Sequence, residues 1–208
     1  MRQGLTMHPE AERLFALDER LRREADEMLL ASGIGSILDE TGFTPVGSHV
    51  MHTMTWRDLD FERYGERDPA AHWKLGEAIA RSPWTFRAQF EDFFRKGDTG
   101  YYWGFLAADP DFPGPVRRGH PLVWKLDVWQ FPLTHRCANL NRRGPWQSLL
   151  SEESRGHVMA LKETLCRDPR YGISLFSVDI YEAVLGQQIQ DIQQFERWFE
   201  QRNKDSSG

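Results

Sequence analysis

Asp127 stands in the middle of the most hydrophobic run of the chain, Leu122-Val123-Trp124-Lys125-Leu126-Asp127-Val128-Trp129. A short run of large apolar residues predicts a strand inside the sheet rather than a loop. An unpaired carboxylate buried there costs several kcal/mol, so the fold has to bring it a cation. One answer is local: Lys125, two residues away on the same face of the strand, makes a structural ion pair. The other is a cation shared with acidic groups from elsewhere in the chain. Either way this strand must lie beside something charged, and that restricts the folds open to the sequence.

Asp58-Leu59-Asp60 is the natural companion. Thr55–Tyr64 reads as a strand, with Trp56, Asp58, Asp60 and Glu62 on one face and Arg57, Leu59 and Phe61 on the other. Residues i and i+2 point the same way, so the two carboxylates project together, only about 7 Å apart along the chain. Like charges at that spacing raise each other's pKa unless a positive charge sits between them. Hard oxygen ligands suit Mg²⁺. A solvent-facing strand with two harmless aspartates is the plainer reading of the pair alone. Asp127 on an adjacent strand would complete a three-carboxylate cluster.

Gly47-Ser48 directly follows the short apolar segment Phe43–Val46. A glycine and a serine where a strand hands over to a helix leave backbone N–H groups facing outward. Such a turn suits a phosphate, although the pair by itself is equally a simple turn or helix cap.

The rest of the 208-residue chain organises around these three points. Leu14, Leu17, Leu21, Ala25, Met28 and Leu29 form a helical stripe from Pro9 to about Ser32, with Pro9, Glu10 and Glu12 fitting its first turn. The helical pattern resumes after Gly33 and Gly35 through Ile37 and Leu38. Pro69–Arg81 reads as a helix. Trp84–Phe94 admits either period and is read as a strand, because Lys96-Gly97-Asp98-Thr99-Gly100 makes a turn into the aromatic run Tyr101–Leu106. After Pro132 the alternation stops, and Leu149–Arg167 and Val178–Arg202 read as helices. The second is divided at Gly186, with Asp191 and Gln194 marking a new start. The tail from Asn203 to Gly208 is expected to be disordered.

The fold class expected is therefore α/β (α+β): a mixed central sheet flanked by helices, with a helical C-terminal part. The domain division expected is a catalytic unit with an N-terminal helix over 1–132 and a helical region over 133–208 packed on it.

Taken in order, Gly47-Ser48, Asp58-x-Asp60 and a lone Asp127 on a later strand resemble the nucleotidyltransferase superfamily with the DNA polymerase β-like catalytic fold, which includes antibiotic nucleotidyltransferases. The match spans roughly residues 34–132. The resemblance implies that Gly47 and Ser48 hold a nucleoside triphosphate, and that Asp58 and Asp60 ligate two Mg²⁺ ions. It implies that Asp127 joins them as the third metal ligand and helps activate an attacking hydroxyl. The activity implied is transfer of a nucleoside monophosphate to a hydroxyl-bearing acceptor, small or macromolecular, with release of pyrophosphate. Two departures concern how the triphosphate is held. His52 stands where many members have a second glycine, and Arg57 where a small residue usually precedes the first aspartate. A non-catalytic relative that binds a nucleotide or a protein partner, as in toxin–antitoxin pairs, is the alternative; a metal-dependent phosphohydrolase is a third reading.

Charge and composition narrow the partners. The net charge of −5 makes long nucleic acids poor candidates, because they require a broad basic footprint. No stretch approaches the roughly 20 apolar residues of a membrane span, and the first residues lack the apolar core of a secretory signal. Cys137 and Cys166 admit one disulfide, but two reduced thiols in a cytoplasmic protein is the simpler reading. His49 and His52 lack a third ligand for zinc. Arg117, Arg118 and His120, and likewise Arg142 and Arg143, read as solvated loops or as contacts to phosphates. Tyr101, Tyr102 and Trp103 read as a core strand or as a stacking surface for a base. There is no Gly-x-Ser-x-Gly elbow, P-loop or Gly-x-Gly-x-x-Gly fingerprint.

Overall fold

The computed structural model describes residues 9–96, 100–111, 122–133 and 146–205. Helix α1 (Pro9–Ala31) buries Leu14, Leu21, Ala25 and Met28 at helical spacing, and α2 (Ile34–Glu40) follows after Gly33, which adopts φ +71°. Strand β1 (Thr44–Val46) passes directly into the short helix α3 (Gly47–Met51). Then come β2 (Asp58–Tyr64), α4 (Pro69–Ala80), β3 (Thr85–Asp92), β4 (Tyr101–Ala107) and β5 (Trp124–Phe131). Asp68 caps α4 by accepting from the Ala71 backbone N–H, and Pro69 occupies the first turn, where its missing donor is harmless.

The five strands form one mixed sheet in the order β1-β2-β5-β4-β3. Most neighbours are antiparallel, but β2 and β5 run parallel although the chain places two strands between them. That long-range pairing aligns Asp60 with Asp127 and Asp58 with Lys125. On β5 the side chains alternate strictly. Trp124, Leu126 and Val128 enter the main core, which they share with Leu59, Phe61, Phe105, α1, α2 and α4. Lys125, Asp127 and Trp129 point to the other face. The buried-strand expectation therefore holds on one face of β5, while the opposite face carries polar and aromatic groups.

The C-terminal part is helical as expected: α5 (Glu152–Leu165), α6 (Ser177–Tyr181), a π-turn over Glu182–Gly186, and α7 (Ile192–Asp205). It builds a second core from Val158, Leu161, Leu165, Ile180, Val184, Phe195 and Phe199, into which Met51 of α3 also packs. Asp191 accepts from the Gln194 backbone N–H, so α7 starts where the sequence suggested, while the Gln194 side chain accepts from the Gln190 backbone N–H one residue earlier.

Two boundaries need correction. The strand expected over Thr55–Tyr64 begins only at Asp58, because Thr55–Arg57 form the approach to it. Helix α7 continues to Asp205, so the tail is ordered through residues expected to be disordered. The basic runs at 117–120 and 142–143, and Cys137, lie outside the described residues; Cys166 is a free, exposed thiol. No described helix is long and apolar enough to cross a membrane.

Candidate active site: an acidic cluster beside a glycine turn

Parallel pairing of β2 with β5 brings three carboxylates to one face of the sheet. One oxygen from each of Asp58, Asp60 and Asp127 lies within 4.8 Å of the others. All three side chains are partly buried. Lys125 joins them, its Nζ donating to Asp127 Oδ2 and, at 3.2 Å, to Asp58 Oδ1. The local ion pair and the three-carboxylate cluster are therefore both present, and Lys125 links them.

Two further donors fix the outer carboxylates. Tyr102 Oη donates to Asp127 Oδ1 at 2.7 Å, and Trp56 Nε1 donates to Asp58 Oδ2 at 3.4 Å. Tyr102 can lie across the sheet because its neighbour Gly104 has no side chain; a Cβ there would stand 2.5 Å from the tyrosine oxygen. Gly104 is also the residue of β4 aligned with Asp127. The sequence offered Tyr102 as core or as a base-stacking surface, whereas it acts as a hydrogen-bond donor to the acidic cluster.

Charge repulsion and burial shape the cluster. Burial, then Asp58 and Asp127, pushes the Asp60 carboxyl well above the ordinary aspartate pKa. Burial and Asp58 also raise Asp127, against the opposing effects of Lys125 and of the Tyr102 hydrogen bond. Burial works to lower the Lys125 ammonium, yet Asp58 and Asp127 together hold its pKa above that of an ordinary lysine. The site stabilises positive charge and leaves its central carboxylate reluctant to ionise.

Gly47-Ser48 lies where it was expected, at the turn from β1 into α3. Val46 pairs with Asp60 in the sheet register, which sets Gly47 against the Asp60 carboxylate. Gly47 adopts φ +67°, and Ser48 is buried. Below the turn, Thr53 hydrogen-bonds through its hydroxyl to Tyr181 of the C-terminal region.

Lys162 went unnoticed in the sequence. Its ammonium is buried on α5, donates to the Thr53 carbonyl at 2.9 Å and lies 4.8 Å from the centre of the Trp56 ring. The available signal was a lysine on the helix face that also carries Val158, Leu161 and Leu165, which is anomalous for an exposed cation. Asp18 was overlooked in the same way. Fully buried on α1, it accepts from the Met54 backbone N–H, Arg22 and Arg155, tying three elements together. His49 is bonded to Asp26, and neither His49 nor His52 belongs to a metal-binding group among the described residues. Arg57 pairs with Glu24 and lies over the Trp124 ring.

The donor set fits a divalent cation. Three hard carboxylate oxygens converge, and their charge exceeds that of the one ammonium among them. A cavity of about 690 Å³ opens beside Asp58 and Lys125, within the size range of small-molecule sites. Comparison with models of known families and with curated proteins gives no match for this chain.

Proposed function

We propose that the protein is a metal-dependent nucleotidyltransferase that moves a nucleoside monophosphate from a nucleoside triphosphate to an acceptor hydroxyl and releases pyrophosphate. The observation that carries this reading is the convergence of Asp58, Asp60 and Asp127 next to the Gly47-Ser48 turn. These residues are distant in sequence, and the resemblance to the DNA polymerase β-like superfamily requires them to meet.

Asp58, Asp60 and Asp127 would hold the ions, with two Mg²⁺ as the set the resemblance implies. Bound there, the metal would supply positive charge to an in-line phosphoryl transfer. In that reaction a bond forms between the acceptor oxygen and the α-phosphorus, and the bond to the pyrophosphate oxygen breaks. The chain itself does the positioning. The Gly47-Ser48 turn offers backbone N–H groups to the triphosphate, Tyr102 and Trp56 orient the outer carboxylates, and Asp127 assists loss of the acceptor proton.

One observation favours a second reading, a non-catalytic nucleotide- or partner-binding relative. Lys125 already lies among the carboxylates as a counter-ion, as a site without metal needs. Pyrophosphate release from a panel of nucleoside triphosphates with MgCl₂ and a panel of hydroxyl-bearing acceptors separates the two. The nucleotidyltransferase reading expects Mg²⁺-dependent release that falls at least a hundredfold in Asp58→Asn and Asp60→Asn. Unchanged release in both folded variants sinks it, and Mg²⁺-dependent nucleotide binding with no turnover supports the second reading.

A further inference from the structure

The two edges of the sheet are built differently. β1 is three residues long and carries Pro45, which has no N–H to offer a further strand, so this edge is poorly suited to extension. β3 at the other edge runs for eight residues, contains neither proline nor lysine, and leaves Arg87, Ala88 and Gln89 exposed. Its bulge lies at the start, between Thr85 and Arg87; from Arg87 to Asp92 the register with β4 is unbroken. Among the described residues β4 is its one strand partner. A regular, exposed edge without guards is a template for another strand.

The hydrogen bonds fix which groups point outward. The Phe93 N–H donates to the Gly100 carbonyl, and the same register sets Arg87, Gln89 and Glu91 opposite Leu106, Gly104 and Tyr102. Bonded pairs alternate with unbonded ones in an antiparallel ladder, so these odd-numbered residues direct their backbone groups to β4. Ala88 and Phe90 turn theirs away from the sheet. The side chains divide as well. Arg87 donates to Gln89 at 3.2 Å and Gln89 to Glu91 at 3.1 Å, a polar line on the face that carries Tyr102 and Lys125. Arg87 has no carboxylate partner among the described residues. Phe90 packs on Trp73 and Trp103 on the opposite face, and Trp73 is half exposed beside it.

We propose that β3 is the seam of a homodimer, in which the strand pairs antiparallel with β3 of a second copy about a two-fold axis at Gln89. The strand's own sequence selects this occupant. Centring on Gln89 joins Ala88 to Phe90 of the second copy through their outward backbone groups. It also sets Arg87 opposite Glu91 of the second copy, twice over, in the closer non-hydrogen-bonded pairs. Centring on Arg87 or on Glu91 sets like charges face to face, and centring on Ala88 or Phe90 gives neither residue an opposite charge. The small Ala88 leaves room for Phe90 of the second copy, close to Trp73 of α4. This isologous contact joins five strands from each copy into one sheet, with both acidic clusters on the same face. It is independent of the chemistry assigned to those clusters.

Sedimentation equilibrium of the full chain tests the seam. The wild type is expected to dimerise below about 500 μM, and Arg87→Glu to raise the dimer dissociation constant by about tenfold or more, because it places a carboxylate opposite Glu91 at both ends. Combining Arg87→Glu with Glu91→Arg exchanges the charges and is expected to restore association. Ala88→Pro removes an outward donor that β4 does not use, so it should give a monomer that is folded by circular dichroism. Gln89→Cys should form a disulfide between copies in oxidised glutathione, located at position 89 in both chains by peptide mass mapping, since this residue faces its own copy. A wild type that stays monomeric overturns the inference. So does a dimer that persists in Arg87→Glu or in folded Ala88→Pro, a double variant that stays monomeric, or the absence of a cross-link through position 89.

Discussion

Gly47 lies against the carboxylate of Asp60 so closely that a Cβ at this position would penetrate the van der Waals shell of Oδ2 and stand 3.1 Å from Cγ. The backbone there has φ +67°, where a side chain is strained whatever the space. Glycine is therefore required twice, by the turn and by the acidic cluster. Gly47→Ala is expected to cost about 2 kcal/mol of stability in urea denaturation, of which the dihedral accounts for roughly half. It should also displace Asp60 and weaken Mg²⁺ binding by calorimetry. A variant with wild-type stability and wild-type Mg²⁺ binding would show that the contact is dispensable.

This contact also shows what was legible from residue types alone. Gly47-Ser48, Asp58-x-Asp60 and Asp127 were each visible as local anomalies, and period-2 alternation correctly put both aspartates on one face. The adjacency of β2 and β5 was expected only from the need to neutralise Asp127, and their parallel direction not at all, since strands separated by two others carry no local signal of how they pair. Lys162, Asp18 and Tyr102 stayed hidden for a related reason. Each is a polar residue whose partner, Thr53, Met54 or Asp127, lies at least 25 positions away. Helical or strand periodicity places such a residue on a face but cannot name what meets it. The start of β2 was missed because Thr55 and Trp56 have the residue types of a strand but approach the sheet without joining it.

Lys125 makes the acidic cluster tolerable without metal, and its removal exposes the demand for one. Lys125→Met keeps the length of the side chain while leaving three converging carboxylates without their ammonium. In EDTA the variant is expected to lose about 2 kcal/mol, the scale of a hydrogen bond to a charged group. Added MgCl₂ should restore much of that loss and raise the melting temperature more than it does in the wild type. Thermal denaturation in EDTA and in MgCl₂ measures both. A melting temperature indifferent to Mg²⁺ in the variant would count against a cation site.

His72 on α4 is buried beside Phe90, Tyr101 and Trp103, its ring stacked on Tyr101 at 4.9 Å. Burial, reinforced by the charge of Arg63, pushes its pKa down to about 4. In the unfolded chain an ordinary histidine takes up its proton near pH 6.5, so between these values the unfolded state binds more protons. Stability is thus fully present above about pH 6.5 and falls as the pH drops toward 4, by roughly 3 kcal/mol from this residue. His72→Phe should remove that share of the pH dependence. Urea denaturation of both proteins across pH 4–7 gives the difference, and parallel curves would refute a neutral buried imidazole.

Lys162 has the same dependence at the alkaline end. Its ammonium is enclosed between Trp56, Tyr181 and the Thr53 carbonyl, and burial lowers its pKa to about 8 despite attraction from Asp58 and Asp60. Unfolded lysine keeps its proton to about pH 10.5, so the unfolded state again binds more protons, now between 8 and 10.5. The folded state therefore gains stability with rising pH across that window, by roughly 3 kcal/mol, as the buried cation is discharged. Lys162→Met fills the same space without a charge and should lack this gain, which denaturation curves at pH 7, 9 and 10.5 will reveal as a difference between the two proteins. A difference that does not change with pH would mean that the ammonium reaches water and that Trp56 is held by Asp58 and Tyr171 alone.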